Sequence, residues 1–474
     1  MCAIFGWFGS DSQDKLRLMA DTMRHRGPDG DGYLHTPTAA IGMTRLAILD
    51  IANGQQPFHS SDSTISAVCN GEIYNFKELR AELENSGHQF QTNCDAEIIP
   101  AAYQQWGMDF LNRLNGMFAI AIYDHTKSEL ILARDRCGQK PLYYAQHSGN
   151  LYFSSEIRAI HKAGIPKSLN HSAIPAYLSL RYVPEPETLF EFIKILPAGH
   201  SLTISSTGDQ SIQKWFNIEP NKEEIHGDPV EQLYQLTQSS INTALISDAP
   251  IALHLSAGID SSVLLSEIHK TNTPVTAITA GFGAQSDEIA EAAALCKNYD
   301  IPHSKVILGP NDINSLPRVI SQMELPVGDA LILAFDRLAA ATQDAGCKVA
   351  IGGEGVDELF CGYSFHKIMM LADKLGTLGR KLAALGIKLT PSSLLNKISA
   401  FPADIGGSGK QKIQHYLSVY NSLSSAEKGV ELRTLFSNQE LQNLHQPYKQ
   451  PSLNNNKDLL ESHLIYQFQS WLQD

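Results

Sequence analysis

The second residue of the chain, Cys2, combines a nucleophilic sulfur with a position beside the N-terminus. Removal of Met1 would give Cys2 a free α-amine, and such an amine has a pKa of about 7.7–8.0. An amine that loses its proton near neutral pH can activate the thiol without a separate histidine. The position therefore indicates a nucleophile for acyl transfer, although position alone does not establish it, because thiol reactivity also depends on the surroundings.

A second candidate site is the segment HLSAGIDSS, residues 254–262, which lies between an apolar run and a helical pattern. Its small residues let the backbone approach an anion closely, and the start of the following helix supplies free N–H groups and the positive end of the helix dipole. Asp260 would repel bare phosphate, so the segment implies a magnesium ion. An ordinary strand–helix turn is the alternative interpretation.

Glycines and acids occur together again in IGGEGVDELFCGY, residues 351–363. The acids Glu354, Asp357 and Glu358 follow a strand-like run. Because acidic residues are favoured at a helix start, this pattern fits a capping cluster as well as a ligand-binding loop, and both interpretations can hold at once.

The composition excludes several classes of protein. The 474 residues include 37 basic and 50 acidic side chains, a formal charge of −13, which argues against a chain that mainly binds nucleic acid or an anionic membrane. Apolar runs such as residues 117–123 are far shorter than the ~20 residues that span a bilayer. The N-terminus has no visible secretory signal, so we expect a cytoplasmic protein. The seven widely spaced cysteines indicate neither a disulfide framework nor a zinc site.

The elements of the first part of the chain must position Cys2. Apolar spacing predicts a helix around residues 16–23 and a second, short helix over 76–83 that ends near Gly87. Consecutive short strands with polar turns between them then suggest antiparallel sheet. These strands are expected at residues 117–123, 129–135, 141–145 and 150–155. We therefore predict a layered domain with helices outside stacked sheets.

The second part of the chain has a different pattern. Residues 184–228 are rich in proline and turn residues, and we place the domain junction near 200–230. Beyond it, strand-like and helical runs alternate with short connections, which is typical of a parallel, doubly wound sheet. The strand-like runs are residues 250–255, 274–280, 303–308 and 348–352, and the helical runs are residues 261–270, 287–299 and 331–345.

Several sequence blocks together resemble a known family. The blocks MCAIFGWFG, RHRGPDGDG, RLAILDIANGQQPF, CNGEIYNFKELR, CDAEII and LNGMFAIAIYD occur in this order within the first 125 residues and resemble the class II glutamine amidotransferases. RDRCGQKPLYY, LYFSSEIRAI and LPAGH narrow the resemblance to the asparagine synthetase branch. The resemblance implies an α+β N-terminal domain, an αββα sandwich of the Ntn-hydrolase type, over residues 1–205. It implies an α/β, doubly wound ATP-pyrophosphatase-type domain over residues 206–474.

The resemblance implies roles for residues of the first domain. Cys2 would attack the side-chain amide of glutamine and release ammonia, and fixed donors must then stabilise the oxyanion of the tetrahedral intermediate. The side chain of Asn70 and the N–H of Gly71 are donors of the right type. The guanidinium of Arg45 suits the carboxylate of glutamine, Glu72 and Asp95 suit its ammonium group, and Leu49 would contact the substrate. The alternative for the three charged residues is a solvated surface position.

The resemblance also implies an ATP site in the second domain, with magnesium as the accompanying ion. Asp260 and Asp357 would bind the metal, and Glu354 would act as a base for incoming ammonia. Ala257 departs from the usual S-G-G-x-D-S loop, because it replaces the first glycine and adds a methyl group near the phosphates. The residues implied in nucleotide binding are Leu255, Ser256, Gly258, Asp260, Ser261, Ile278, Gly352 and Gly353.

The implied reaction joins the two domains. ATP and aspartate would form β-aspartyl-AMP and pyrophosphate, and ammonia channelled from the first site would convert the adenylate to asparagine. The expected partners are therefore glutamine, ATP and aspartate, with a homodimer as a family tendency. Amidation of another carboxylate, such as a sugar acid or a peptide, stays open as an alternative. A glutaminase-only or regulatory chain is the third interpretation.

The end of the chain differs from the family pattern. Leu460, Leu464, Phe468 and Leu472 have a helical apolar spacing. In the family this helix continues into a segment that contributes a lysine to adenylation, and that segment is missing here. We therefore expect either a synthetase domain that is truncated at its C-terminus or a divergent member of the family, with a natural end of the chain as the alternative.

Overall fold

The computed structural model describes residues 1–218, 226–283, 287–329, 331–391 and 409–435, and four single positions, 459, 463, 464 and 467. The chain divides into two compact units. The first comprises Met1–Leu169, Glu185–Asn217 and Lys222–Gly353, and the second comprises Asn170–Pro184, Ile218–Asn221 and Glu354–Asp474. The boundary predicted at residues 205/206 stays a prediction.

Two six-stranded antiparallel sheets form the N-terminal part of the first unit. The first sheet has the order β10-β8-β9-β1-β3-β2 and the second the order β12-β11-β7-β6-β5-β4. The strands of the first sheet are β1 (Ala3–Phe8), β2 (Gly30–His35), β3 (Ala39–Arg45), β8 (Tyr143–His147), β9 (Asn150–Ser154) and β10 (Lys194–Ile195). Those of the second are β4 (Phe58–His59), β5 (Ile65–Ile73), β6 (Gly116–Asp124), β7 (Glu129–Arg134), β11 (His200–Ile204) and β12 (Gln210–Lys214).

Helices cover the outer face of each sheet. In α1, Ser12 caps the N-terminus by accepting a hydrogen bond from the N–H of Asp14, and the predicted apolar stripe is fully buried. This stripe packs on the first sheet together with α5, whereas α2 and α3 pack on the second. The helices of this region are α1 (Gln13–Met23), α2 (Phe76–Asn85), α3 (Ile98–Trp106), α4 (Phe110–Arg113), α5 (Ile157–Lys162) and α6 (Ile174–Leu180), of which α6 belongs to the second unit.

A third apolar layer lies between the two sheets. Ile4 and Met43 of the first sheet pack in one cluster with Val68 and Leu132 of the second. Strict alternation of side chains along each strand lets β1 bury Ile4 on this side and Phe5 against the outer helices. The predicted αββα sandwich is confirmed, with a helix layer, two sheets and a second helix layer.

The rest of the first unit is built on a parallel sheet with the order β15-β14-β13-β16. Its strands are β13 (Ile251–His254), β14 (Val275–Phe282), β15 (His303–Leu308) and β16 (Val349–Ile351). Helices α7 to α9 pack on one face and α10 and α11 on the other, so the predicted doubly wound arrangement is confirmed. These helices are α7 (Pro229–Ala244), α8 (Ile259–Thr271), α9 (Asp287–Asn298), α10 (Leu316–Met323) and α11 (Leu331–Asp344).

The second unit is helical where it is described. Phe365, Tyr416 and Tyr420 lie at the centre of its apolar core. Its further helices are α12 (Val356–Phe360), α13 (Ser364–Lys374), α14 (Thr377–Leu389), α15 (Gly409–Val419) and α16 (Ser425–Val430). Of the apolar pattern predicted at the end of the chain, Leu464 is helical, whereas Leu460, Phe468 and Leu472 lie outside the described residues.

Among the helices of the described residues, none combines the length and the apolar character that a membrane span requires.

Candidate active site

The sulfur of Cys2 lies against the backbone of one residue, Leu46, in the loop that follows β3. The N–H of Leu46 donates to Sγ at 3.3 Å, and the carbonyl of the same residue lies 3.5 Å from Sγ. Burial raises the pKa of the Cys2 thiol, and the Leu46 N–H opposes this by stabilising the thiolate. The site therefore holds the sulfur in place and offers a donor to its charged form.

Two cations flank the N-terminal end of β1. Arg26 donates from Nε to the carbonyl of Cys2 at 3.0 Å and from Nη1 to Glu156 at 3.2 Å. The ammonium group of Lys140 lies 3.4 Å from the sulfur of Met1. Burial lowers the pKa of the Met1 α-amine to about 6, and the charges of Arg26 and Lys140 act in the same direction. Burial and the two cations therefore favour the neutral form of this amine.

Asn70 and Gly71 occupy adjacent positions of β5 in the second sheet. The amide of Asn70 points toward the first sheet, where its Nδ2 lies 3.5 Å from Oγ of Ser155. The same hydroxyl accepts a hydrogen bond from the N–H of Ile4, two residues beyond Cys2. A Cβ on Gly71 would lie 2.0 Å from the carbonyl oxygen of Met117, so no side chain fits there. The structure thus brings Asn70 beside the strand that follows Cys2.

Two carboxyl groups, the partly buried Glu72 and the buried Asp95, lie close to each other although 22 residues lie between them in the chain. Asp95 accepts a hydrogen bond from the N–H of Ile73 at 2.6 Å. Burial and the charge of Asp95 raise the pKa of Glu72, and burial raises the pKa of Asp95. Asp95 is 4% exposed, and Oε2 of Glu72 has no hydrogen-bond partner in the described residues. A solvated surface position is therefore wrong for Asp95, and Oε2 of Glu72 is shielded from solvent as well.

Arg45 is also buried, and backbone carbonyl groups hold its guanidinium. Its Nη1 donates to Ile51 at 3.0 Å, and its Nη2 donates to Leu49 and Asp50 at 3.0 and 2.8 Å. These bonds use three of the five N–H groups of the side chain. A solvated surface position is therefore wrong for Arg45 as well. Leu49 packs, partly buried, against the core beneath the second sheet.

We expect Glu72→Gln to stabilise the protein at pH 7–8 by about 0.5–2 kcal/mol. The raised pKa of Glu72 means that the folded state binds this proton more tightly than the unfolded state does. The carboxyl group therefore costs stability as pH rises above its ordinary pKa of about 4.3, and the neutral amide does not. Thermal unfolding at pH 4–8 should show a gain that shrinks toward acid. The exposed Glu84→Gln serves as the control, and an equal gain in both variants would contradict this interpretation.

The block RDRCGQK forms the loop that carries Lys140 to Cys2. The carboxylate of Asp135 accepts from the backbone N–H groups of Phe118, Cys137, Gln139 and Lys140 at 3.0–3.1 Å. Phe118 in turn pairs with Gly71 across β5 and β6. Arg26, Lys140 and Ser155 were not predicted as site residues. Their blocks were visible in the sequence, but nothing there shows that they converge on Cys2.

The second candidate site lies at the carboxyl end of the parallel sheet. β13 and β16 are neighbours, and the chain leaves β13 toward the face that carries α8. In doubly wound sheets ligands bind where the strand order reverses, outside the carboxyl ends of the strands. The loop 255–261 occupies this place. In it Oγ of Ser261 accepts from the N–H of Ser256 at 3.1 Å, and Oγ of Ser256 accepts from the N–H of Gly258 at 3.1 Å.

The two glycine-containing loops meet at this end of the sheet. A Cβ built on Gly353 would lie 3.1 Å from Cβ of Asp260, so Gly352–Gly353 and the start of α8 are in contact. Leu255 and Ile278 are joined by a backbone hydrogen bond of 2.9 Å, and their side chains lie buried in the apolar clusters on opposite faces of the sheet. Their predicted contact with adenine stays a prediction.

The remaining predicted acids belong to the second unit. Burial raises the pKa of Glu354, and the charges of Glu358 and Asp357 act in the same direction. Asp357 and Glu358 lie in the first turn of α12, where acidic residues are favoured, whereas Glu354 precedes the helix and Gly355 is its N-cap, with no side-chain cap hydrogen bond. The described residues contain no group of three or more His, Cys, Asp or Glu side chains that would hold a metal. Magnesium brought by nucleotide phosphates needs only one or two protein carboxylates, and Asp260 beside the loop fits that requirement.

Each of the two parts of the chain matches a known protein family. Residues 1–216 match the model of a glutamine amidotransferase domain, and residues 232–474 match the model of asparagine synthase. Asparagine synthetase [glutamine-hydrolyzing] 1 of Bacillus subtilis is 34% identical over 77% of this chain and 60% of its own length.

Two further relatives show the same extent of similarity. Asparagine synthetase B [glutamine-hydrolyzing] of Escherichia coli is 31% identical over 81% of this chain and 69% of its own length. Amidase chyE of Penicillium rubens is 31% identical over 76% of this chain and 56% of its own length. The match to the Bacillus relative spans about 60% of that protein. The chain belongs to the asparagine synthase family, with an N-terminal glutamine amidotransferase domain.

Proposed function

We propose that this protein makes asparagine from aspartate, with glutamine as the nitrogen donor and ATP as the activating co-substrate. The observation that carries the proposal is the surroundings of Cys2. Its sulfur accepts a hydrogen bond from the N–H of Leu46. The charges of Glu72 and Arg45 are close enough to act on the pKa of the thiol. A nucleophile, a buried carboxylate pair and a buried guanidinium in one place suit a substrate that carries an amide, an ammonium and a carboxylate.

In the proposed glutaminase step, the thiol of Cys2 attacks the side-chain amide carbon of glutamine. The α-amine that removal of Met1 exposes takes the thiol proton and passes it to the departing nitrogen, so that ammonia leaves and a thioester forms. Water then hydrolyses the thioester to glutamate. Nδ2 of Asn70 and the N–H of Gly71 are the proposed oxyanion donors.

The proposed recognition of glutamine uses the three buried charged residues. The carboxylate pair Glu72 and Asp95 would bind the α-ammonium group, which compensates two carboxyl groups that are otherwise costly to ionise in a buried place. The N–H groups of Arg45 that do not bond to the loop carbonyls would bind the α-carboxylate.

In the proposed synthetase step, ATP and aspartate form β-aspartyl-AMP and pyrophosphate. The loop around Ser256, Gly258 and Ser261 would hold the phosphates, with Gly352 and Gly353 on the opposite side. Asp260 and Asp357 would bind magnesium, which supplies charge neutralisation at the phosphates. Glu354, whose pKa burial raises, would take a proton from the incoming ammonia. Internal transfer of ammonia, a homodimer and a cytoplasmic location remain predictions.

The test is to measure glutamate release from glutamine and pyrophosphate release from ATP in the same preparation. We expect pyrophosphate release to depend on aspartate, and asparagine to form at the same rate. Asp260→Asn should suppress pyrophosphate release by about 10²-fold or more, because it removes a charge at the phosphates, and should leave glutamate release intact. Glutamate release without aspartate-dependent pyrophosphate would refute asparagine synthesis, and a panel of other carboxylates would then test the alternative acceptors.

A further inference from the structure

One carboxylate oxygen links the loop beside Cys2 to the parallel-sheet part of the first unit. Oδ2 of Asp29 accepts a hydrogen bond from the N–H of Ala47 at 2.8 Å. The same oxygen forms an ion pair with Nζ of Lys348 at 2.7 Å. Asp29 and Lys348 are 319 residues apart in the chain. Burial acts to raise the pKa of Asp29, but the contacts with Lys348 and Ala47 outweigh burial and hold this pKa below its usual range. The carboxylate is thus charged and shared between two partners.

The partner on the glutaminase side is next to the residue that holds the sulfur. Ala47 follows Leu46, whose N–H and carbonyl lie 3.3 and 3.5 Å from Sγ of Cys2. The N–H of Asp29 also donates to the carbonyl of Arg45 at 2.9 Å. A Cβ on Gly27 would lie 2.2 Å from the carbonyl carbon of Thr44, so the two segments are in direct backbone contact. Asp29 therefore bonds to both peptide groups that flank Leu46, one through the Ala47 N–H and the other through the Arg45 carbonyl.

Lys348, the second partner of Asp29, lies at the start of the strand that leads to Gly352–Gly353. Lys348 directly precedes β16, and Gly352–Gly353 follow it. The N–H of Lys348 donates to the carbonyl of Pro250 at 3.1 Å, which fixes it to the start of β13. At that start Asp248 accepts from the N–H of Asp50 at 2.8 Å. Two neighbouring strands of the parallel sheet therefore begin at the loop that holds Arg45 and Leu46.

We propose that Lys348 is a positioning residue for the Cys2 thiol, and that it acts through Asp29 and the Leu46–Ala47 segment. The inference rests on the proposed role of Cys2 and adds a residue from the parallel-sheet part to it. Lys348 and Asp29 are 33% and 30% exposed. An ion pair with this exposure contributes little to stability. We therefore expect the loss of Lys348 to change the surroundings of the Cys2 thiol more than the free energy of unfolding.

The test compares Lys348→Met with the wild type by two readouts. We expect kcat for glutamate release to fall about 5- to 50-fold with a smaller change in KM. Alkylation of Cys2 by iodoacetamide, followed by mass spectrometry of the N-terminal peptide from pH 6 to 10, should have its midpoint at higher pH. A weakened Leu46 donor shifts this midpoint, whereas a change in access alone alters only the plateau. Lys348→Arg should restore both readouts.

A matched control is Lys15→Met. Lys15 pairs with Asp11 at the same distance of 2.7 Å and is 35% exposed, but it lies on α1, away from the Leu46 loop. It should leave kcat and the alkylation midpoint unchanged. If Lys348→Met folds poorly, the exchange Asp29→Lys with Lys348→Asp keeps an ion pair but removes the acceptor for Ala47. That exchange should recover thermal stability without recovering kcat.

The possible results separate this inference from the proposed function. An unchanged kcat and an unchanged alkylation midpoint in Lys348→Met would overturn the positioning role. Recovery of kcat by the charge exchange would also overturn it, because the Ala47 acceptor would then be dispensable. If the wild type released no glutamate, the proposed function would fail, and the alkylation midpoint would still decide whether Lys348 positions the thiol.

Discussion

Replacement of Cys2 by alanine should reduce glutamate release by about 10⁴-fold or more, because it removes the nucleophile and not only a group that assists it. Asparagine synthesis from added ammonia should persist, since the two glycine-containing loops lie at the carboxyl end of the parallel sheet, whereas the Leu46 loop lies beside the residues at which β13 and β16 begin. The measurement is glutamate release with glutamine, and pyrophosphate and asparagine formation with ammonium chloride at pH 8–9.

The matched control is Cys137→Ala. Burial and the charge of Asp135 raise the pKa of the Cys137 thiol to about 11, so this sulfur is almost entirely protonated at neutral pH. Its removal should leave glutamate release unchanged. Retention of glutaminase activity in Cys2→Ala would show that the N-terminal nucleophile is wrongly assigned. Loss of ammonia-dependent synthesis in the same variant would show that the two sites are not separable.

Replacement of Asn70 by alanine should lower kcat for glutamate release by about 10²–10³-fold with little change in KM. A donor aimed at a developing oxyanion stabilises the transition state more than the bound substrate. The effect on stability should be small, because within the described part of the chain the amide of Asn70 makes a single, long contact, 3.5 Å to Ser155. The measurement is steady-state kinetics together with thermal unfolding.

A second asparagine of the same block provides the control for this prediction. Asn75 hydrogen-bonds to the backbone of Arg113 and Asn115 at 2.9 Å, so its removal costs two contacts at the start of α2. Asn75→Ala should therefore lower thermal stability and leave kcat near the wild-type value. A kcat effect that is the same in both variants, or a change in KM alone for Asn70→Ala, would contradict an oxyanion role.

Local sequence patterns predicted much of the fold. The stripe from Leu16 to Met23 and the strand-like runs after Met117 all occur in the structure as helix and strands, because the side-chain period of each element is a local property. Helix α3 was missed. Its first six residues, Ile98–Tyr103, are all buried, so the segment has no polar face to reveal a helical period.

The candidate site was predictable only in part for a related reason. The sequence blocks identified Cys2, Asn70, Gly71 and the two glycine-containing loops, because each block contains its own chemically distinctive residues. Lys140 and Ser155 stood in visible blocks without any sign of their place beside Cys2. The burial of Asp95 and the partial burial of Glu72 were not readable either, since charged side chains are usually exposed.

The sequence by itself was enough to predict Cys2 as the nucleophile, and to predict the layer pattern of the two sheets and the alternation that makes the parallel sheet, since these depend on residue type and local period. Only the tertiary structure decided which charged side chains are desolvated and which of them form pairs. It buries Glu72 beside Asp95 and thereby raises the pKa of both, and it joins Asp29 to Lys348 across 319 residues. Desolvation and long-range pairing depend on how the sheets and loops pack in three dimensions, and no local pattern encodes them.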